Sequence, residues 1–174
     1  MSKEPVIETD RLVLRPVTLD DAEACFSWNS DERVTKFMSY PTLTDISQTA
    51  SWIESTLVDE KEWNWAFVLK DENKVIGTGG IGPNAHMEGY WGIGYNLHYD
   101  YWHKGYCTEA IKAIIGFAHK KLGVKKICGS HAVDNPRSGR VMEKCGLKFD
   151  HYSEYKKTDG SQTFKSKVYK MELE

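Results

Sequence analysis

The apolar positions change period several times along the chain, and each change marks an element. RLVLRPV (Arg11–Val17) alternates, the period of a half-buried strand. Thr18 or Asp20 then caps a helix carrying Ala22, Cys25, Phe26 and Trp28. After a polar, turn-rich segment, a second helix covers roughly Asp45 to Glu60, with Ile46, Trp52, Ile53 and Leu57 on a partly helical stripe. WNWAFVLK (Trp63–Lys70) and KVIGTGGI (Lys74–Ile81) read as strands joined by a DEN hairpin turn. GYWGIGYNL (Gly89–Leu97) is a third strand, and its glycines mark a bulge or the close approach of another backbone. Farther on, Ala110, Ile111, Ile114, Ile115, Ala118 and Leu122 share one helical face. Gly123 suits the position just past that helix, and His119, Lys120 and Lys121 complement the negative end of its dipole. VKKICGSHAV (Val124–Val133) reads as a buried strand and Pro136 to Lys144 as a short helix. Strands at about Lys148–Lys156 and Thr163–Leu173, joined around Asp159-Gly160, close the chain. The order of elements predicts an α/β fold with a mixed sheet covered by helices.

Composition narrows the picture. The 174 residues suffice for a core, and neither an internal repeat nor a Pro/Ser-rich linker divides them, so one domain is expected over residues 1–174. A net charge of -2 argues against nucleic acid or an anionic membrane as partner. No apolar run approaches a membrane span, and MSKEPVIETD lacks the apolar region of a secretory signal. Cys25, Cys107, Cys128 and Cys145 are scattered without metal-ligand spacing. Reduced thiols, a cytoplasmic location and no bound metal are the expectation.

Two stretches invite a phosphate-binding reading. Gly77-Thr78-Gly79-Gly80-Ile81-Gly82 matches the GxGxxG form, but a dinucleotide site needs a helix directly after the glycines, and here Pro83-Asn84 and another strand follow. The second is WHKGYCTEA, Trp102 to Ala110, at the mouth of the long helix. The first turn of a helix carries unpaired N–H groups and partial positive charge. Gly105 allows close approach, Lys104 adds a cation, and Tyr106 and Thr108 add hydroxyls, so a diphosphate suits the position. An ordinary capped helix is the plainer alternative.

WHKGYCTEA after GYWGIGYNL resembles the acetyl-CoA loop of the Gcn5-related N-acetyltransferases (GNAT). NPRSGRVMEKCGLKF (Asn135–Phe149) and TDRLVLRPVTLDDAE resemble the ribosomal-protein acetyltransferase branch, the RimJ/RimL-like group. Together the three stretches span nearly the whole chain in the family's order. The resemblance implies a mixed seven-stranded sheet, splayed between its fourth and fifth strands and flanked by about four helices. Those strands would be Gly89–Leu97 and Val124–Val133. It also implies acetyl-CoA as co-substrate, its pantetheine arm along the open edge and its pyrophosphate on the amides of Trp102, His103, Lys104, Gly105, Tyr106, Cys107 and Thr108.

The implied reaction is direct attack of a neutral amine on the thioester. It needs a proton acceptor, donors for the oxyanion and a proton for the leaving sulfur. Backbone amides near Asn96 and Leu97 are candidates for polarising the carbonyl. Met142 occupies the family's usual tyrosine position, and the branch has serine where Ser138 stands, so Ser138 inherits the role at sulfur. Asn135 is expected to bond the cofactor arm; it is also a good N-cap ahead of Pro136. Trp102 stands where the loop commonly has Gln or Arg, and Cys107 replaces its second small residue. Gly92 occupies a position where relatives often carry a glutamate base. His131, beside the gap, is the best-placed titratable group, with Glu88 or a water chain as alternatives. A nucleophilic Cys107 at the helix N-terminus is a rival route.

The acceptor is expected to be a small-molecule amine or a protein N-terminus, and the protein a monomer or a homodimer. Aromatics around Trp28, Phe37, Tyr40, Trp63 and Trp65 are candidates for lining its cleft. Two other functions fit less well: a catalytically degenerate GNAT module binding acyl-CoA or a protein partner, and a nucleotide-binding regulator.

Overall fold

In the computed structural model, which describes residues 3–174, the chain folds around one mixed sheet. The N-terminal part forms β1 (Ile7–Glu8), β2 (Leu12–Pro16), α1 (Ala22–Asn29), α2 (Glu32–Thr35) and α3 (Ile46–Val58). A meander follows: β3 (Trp63–Leu69), β4 (Lys74–Pro83) and β5 (Trp91–Leu97). Then come α4 (Tyr106–Leu122), β6 (Lys126–Ala132), α5 (Pro136–Lys144), β7 (Lys148–Lys156) and β8 (Thr163–Glu172). The eight strands lie in the order β1-β2-β3-β4-β5-β6-β8-β7. Two short elements, β1 and α2, are additional to those expected, because two and four residues carry too little periodicity to be read.

Strand alternation sorts the core onto two faces. On β3, Trp65, Phe67 and Leu69 join Leu12, Leu14 and the apolar face of α4, whereas Ala66 joins Val17 and Ile53 of α3. The stripe expected on α3 is only partly buried. Thr49 and Ile53, one turn apart, are inaccessible, while Ile46, Trp52 and Leu57 are exposed. The helix touches the body along a narrow line, and these three lie off it or near its ends. Asp45 caps α3, accepting from the Ser47 amide at 2.8 Å with Gln48 closing a capping box. Thr18 caps the 3-10 turn Leu19–Asp21 that leads into α1, and the N-cap of α1 itself is Asp21, neither of the two residues expected to cap that helix directly.

The glycines of β4 are a packing requirement. A methyl group on Gly80 would lie 2.3 Å from the Trp63 carbonyl oxygen, and one on Gly77 would lie 2.5 Å from that of Asn96. The GxGxxG match is therefore strand, and the next helix begins only at Tyr106. The bulge reading of the β5 glycines is corrected: the β4–β5 register is unbroken from Gly77↔Leu97 to Pro83↔Trp91. What β5 does instead is part from its other neighbour. It pairs in parallel with β6 only at Trp91↔Ile127 and Gly92↔Cys128, and beyond these the strands diverge. Among the described residues, no helix is long and apolar enough to cross a membrane, and no His/Cys/Asp/Glu group of three or more is placed to hold a metal ion.

Candidate active site

The open edge presents a defined set of amides. Two bonds flank the β4–β5 ladder, Asn84 N–H to the Tyr90 carbonyl and His98 N–H to the Ile76 carbonyl. In an antiparallel ladder, alternate residues bond to the same neighbour. Even-numbered residues of β5 therefore face β4, while Ile93, Tyr95 and Leu97 turn their amides toward the gap. The backbone amide of Asn96 is thus committed to β4 and cannot polarise a carbonyl in the gap, which corrects that expectation; the amide of Leu97 can. The side chain of Asn96 is also occupied, accepting from Thr78 Oγ1 at 2.7 Å and donating to the Tyr40 hydroxyl at 3.1 Å.

Beyond the gap, the segment before α4 is held in an unusual shape. His103 and Gly105 both have positive φ, at 62° and 82°. Arg11 fastens this turn, donating from Nη1 to the Lys104 carbonyl at 2.8 Å and from Nε to Glu109 at 2.7 Å. Thr9 Oγ1 and the Arg11 amide also donate to Glu109, at 2.7 and 2.8 Å. Burial alone would raise the Glu109 carboxyl pKa, but these bonds outweigh it and hold it below the ordinary range. Gly105 is the N-cap, and the first intrahelical bond runs from Glu109 to its carbonyl, so the amides of Tyr106, Cys107 and Thr108 have no helical partner.

A cavity of about 600 Å³ joins this turn to the gap. Trp102, His103, Gly105, Tyr106, Cys107 and Thr108 line it on one side, and Asn135 and Ser138 of α5 on the other. Lys104 does not line it: its Nζ lies 5.2 Å from the centre of the Tyr101 ring. The cations come instead from Arg33, Lys36, Arg137, Arg140 and Lys144, against Asp134, the single lining carboxylate among the described residues. Trp102 turns its indole N–H to the Leu97 carbonyl at 2.8 Å, and the Arg137 guanidinium sits 4.7 Å from its ring centre. Asn135 occupies the N-cap position of α5, yet its side chain makes no capping bond and is left free at the cavity wall. Free amides, a basic rim and an open strand edge fit a long polyanionic ligand with an amide-bearing arm.

A second cavity of about 520 Å³ lies against the α1–α3 face and shares Met38, Tyr95 and Asn96 with the first. Of the aromatics expected in an acceptor cleft, only Tyr40 lines it. Phe37 lines the first cavity, Trp28 and Trp65 are core, and Trp63 packs on Phe117. Trp52 of α3, not anticipated, takes their place.

Three other expectations are altered. His131 is buried beneath α5, its Nδ1 2.7 Å from the Ala132 carbonyl and its Nε2 against Gly139 without a partner among the described residues. Burial lowers its pKa, and it lines neither cavity, so it is a core histidine and not a base. Glu88 is exposed and lines neither cavity. Desolvation pushes the half-buried Cys107 thiol up to about 12, which disfavours the thiolate that an acetyl-enzyme route needs.

Sequence reasoning missed Tyr95. Its hydroxyl bridges to Ser138 of α5, 43 positions away in sequence. Alternation places it on the α4 face with Ile93 and Leu97, but no local pattern announces the contact. Arg137 and Arg140 were legible as cations in NPRSGR, though not as cavity groups.

The family model described as acetyltransferase (GNAT) domain matches residues 11–148. YoaA of Bacillus subtilis (strain 168), named as an uncharacterized N-acetyltransferase, is 32% identical over 146 residues, covering 82% of each chain. A GNAT-family acetyltransferase from Bacillus anthracis superposes with a TM-score of 0.83 at 23% identity, over 97% of this chain and 98% of that one. The microcin C7 self-immunity acetyltransferase MccE, solved with acetyl-CoA and AMP, gives 0.80 at 23% identity over 95% and 94%.

Proposed function

Because the chain belongs to the GNAT acetyltransferase family, we propose that it moves the acetyl group of acetyl-CoA directly to a primary amine within a ternary complex. The acceptor is a small-molecule amine or a protein N-terminus. The observation that carries this reading is the meeting of two unlike cavities where β5 and β6 part. One is basic and borders free amides; the other is nearly uncharged; they share Met38, Tyr95 and Asn96. That MccE was solved with acetyl-CoA supports the choice of donor.

In this reading the amides of Tyr106, Cys107 and Thr108 receive the diphosphate, with Arg137 and Arg140 beside it. The gap-facing edge of β5 and the free Asn135 side chain receive the amide groups of the arm. The Leu97 amide points where the thioester carbonyl gains charge as nitrogen attacks. Collapse breaks the carbon–sulfur bond. The proton shed by nitrogen ends on sulfur, and Ser138 supplies the hydrogen bond there while Tyr95 fixes its hydroxyl. An acceptor arriving as ammonium first gives a proton to solvent through the open cavity. Holding both reactants at one junction supplies much of the acceleration.

Calorimetry with CoA, followed by thiol release from acetyl-CoA over a panel of amines, tests the proposal. Wild type binds CoA and releases thiol only with an amine present. Gly105→Val, which forces a branched side chain into a left-handed position, loses CoA binding while keeping its circular dichroism. Undiminished CoA binding by that variant would overturn the assignment of the turn.

A further inference from the structure

We infer that the acceptor is a primary amine on an apolar body with no anionic group beside its nitrogen, and that Glu62 receives its ammonium. This rests on the acetyl-transfer reading above and deepens it. The acceptor-side cavity runs along bare backbone: Gly80, Gly82, Gly92 and Gly94 lie on its floor on β4 and β5, and the side-chain position of Gly94 is open space. Its apolar walls are Met38, Leu43, Trp52 and Ile81. Trp52 is 36% exposed, a large flat surface that an apolar ligand would cover.

Among the described residues, Glu62 is the only charged side chain lining this cavity. Its stem lies over Gly82, where a methyl group would come within 2.9 Å of Glu62 Cγ, and its amide is held by Asp59 Oδ1 at 3.2 Å. Its carboxylate has no hydrogen-bond or ion-pair partner among the described residues. An unpaired carboxylate at the wall of an otherwise uncharged cleft attracts one ammonium and repels a carboxylate or phosphate on the same ligand. Among the described residues, no Arg or Lys lines the cavity to offset such an anion. A polyamine fits poorly for the opposite reason, since its further ammonium groups would meet no second carboxylate. The class that remains is a monocation with an apolar side group and a neutral neighbour to the nitrogen, such as the first residue of a peptide.

Phenylalanine amide, free phenylalanine and spermidine are the probes, with acetyl-CoA as donor and CoA calorimetry as the independent readout. We expect kcat/KM for the amide to exceed that for either competitor by about tenfold or more, the scale of one unfavourable charge contact. Glu62→Gln raises KM for the amide about tenfold with kcat little changed, and narrows the preference for amide over acid. Gly94→Leu, whose side chain enters open space in the cavity, stops turnover of the amide and leaves CoA affinity intact. Equal use of the free acid, preference for spermidine, or an unchanged KM in Glu62→Gln overturns the inference. CoA binding without turnover of the amide also overturns it while leaving the cofactor site standing. Absence of CoA binding removes the proposed function itself.

Discussion

The Tyr95 hydroxyl lies 3.0 Å from Ser138 Oγ and 2.9 Å from the Ser138 carbonyl oxygen, joining β5 to α5 across the place where the sheet has come apart. The phenol carries one proton: directed to Ser138 Oγ, it leaves the serine hydroxyl its own proton to donate elsewhere, whereas directed to the carbonyl it takes the serine proton instead. Burial raises the Tyr95 pKa, so the phenol stays protonated and holds this geometry over the whole working pH range. Ser138→Ala should lower kcat by about a hundredfold while CoA affinity changes little, the range for loss of a positioned proton-transfer group. Tyr95→Phe should show a smaller loss of the same kind. Steady-state kinetics beside calorimetry separates the two quantities, and a loss confined to CoA affinity would place Ser138 in binding alone.

The Arg11–Glu109 clamp shapes the turn that exposes the α4 amides. Glu109→Gln keeps the size of the side chain but removes the charge that Arg11 and Thr9 address. CoA affinity should fall by about five- to tenfold through a looser turn, with global stability down about 1 kcal/mol or less, since Arg11 is half exposed. Calorimetry and urea denaturation check the two effects separately.

Asp21 predicts an acid-side loss of stability. Burial would raise its pKa, but two bonds from Arg15, at 2.8 and 2.7 Å, and the Thr18 amide lower it below the ordinary carboxylate value. The unfolded chain therefore binds the proton more readily. The contribution is complete above about pH 4, the unfolded value, and is lost as pH falls through the folded one. Thermal melting from pH 7 to pH 3 should show Asp21→Asn less stable than wild type at pH 7, with the two converging at the acid end.

Lys157 ties the β7–β8 hairpin to the loop that brings Met38 and Tyr40 to the cavities. Its buried ammonium donates to the Thr35 and Tyr40 carbonyls at 2.9 and 3.1 Å. Lys157→Met leaves the Tyr40 oxygen unpaired and the Thr35 oxygen with the Met38 amide alone, so stability should fall by about 1–3 kcal/mol. KM for the acceptor should rise more than the Kd of CoA. An unchanged acceptor KM would show that the loop holds its place without the lysine.

Cys107 should stay unmodified during turnover. With its thiol pushed up to about 12, mixing with acetyl-CoA should give no acetyl adduct on the intact protein by mass spectrometry, and initial-rate lines should intersect. Parallel lines with an adduct on Cys107 would revive a covalent route.

Local pattern alone was enough for most of the scaffold. The apolar face from Ala110 to Leu122 and the left-handed Gly123 bound α4, Asp45 starts α3, and alternation marks the strands, because period and caps are written in near neighbours. The family was legible for the same reason, through WHKGYCTEA and NPRSGR, contiguous stretches that present amides and a serine. What a side chain faces was decided only by folding. His131 looked like a base beside a gap, yet strand direction and the bare backbone of Gly139 put it in the core. Asn96 looked like an oxyanion donor until ladder parity turned its amide to β4. Tyr95 meets Ser138, and Glu62 meets a cavity walled by glycines of two other strands, only because the sheet opens between β5 and β6. Those contacts join positions far apart in sequence, and no periodicity records which of two faces, or which neighbouring strand, a residue will finally address.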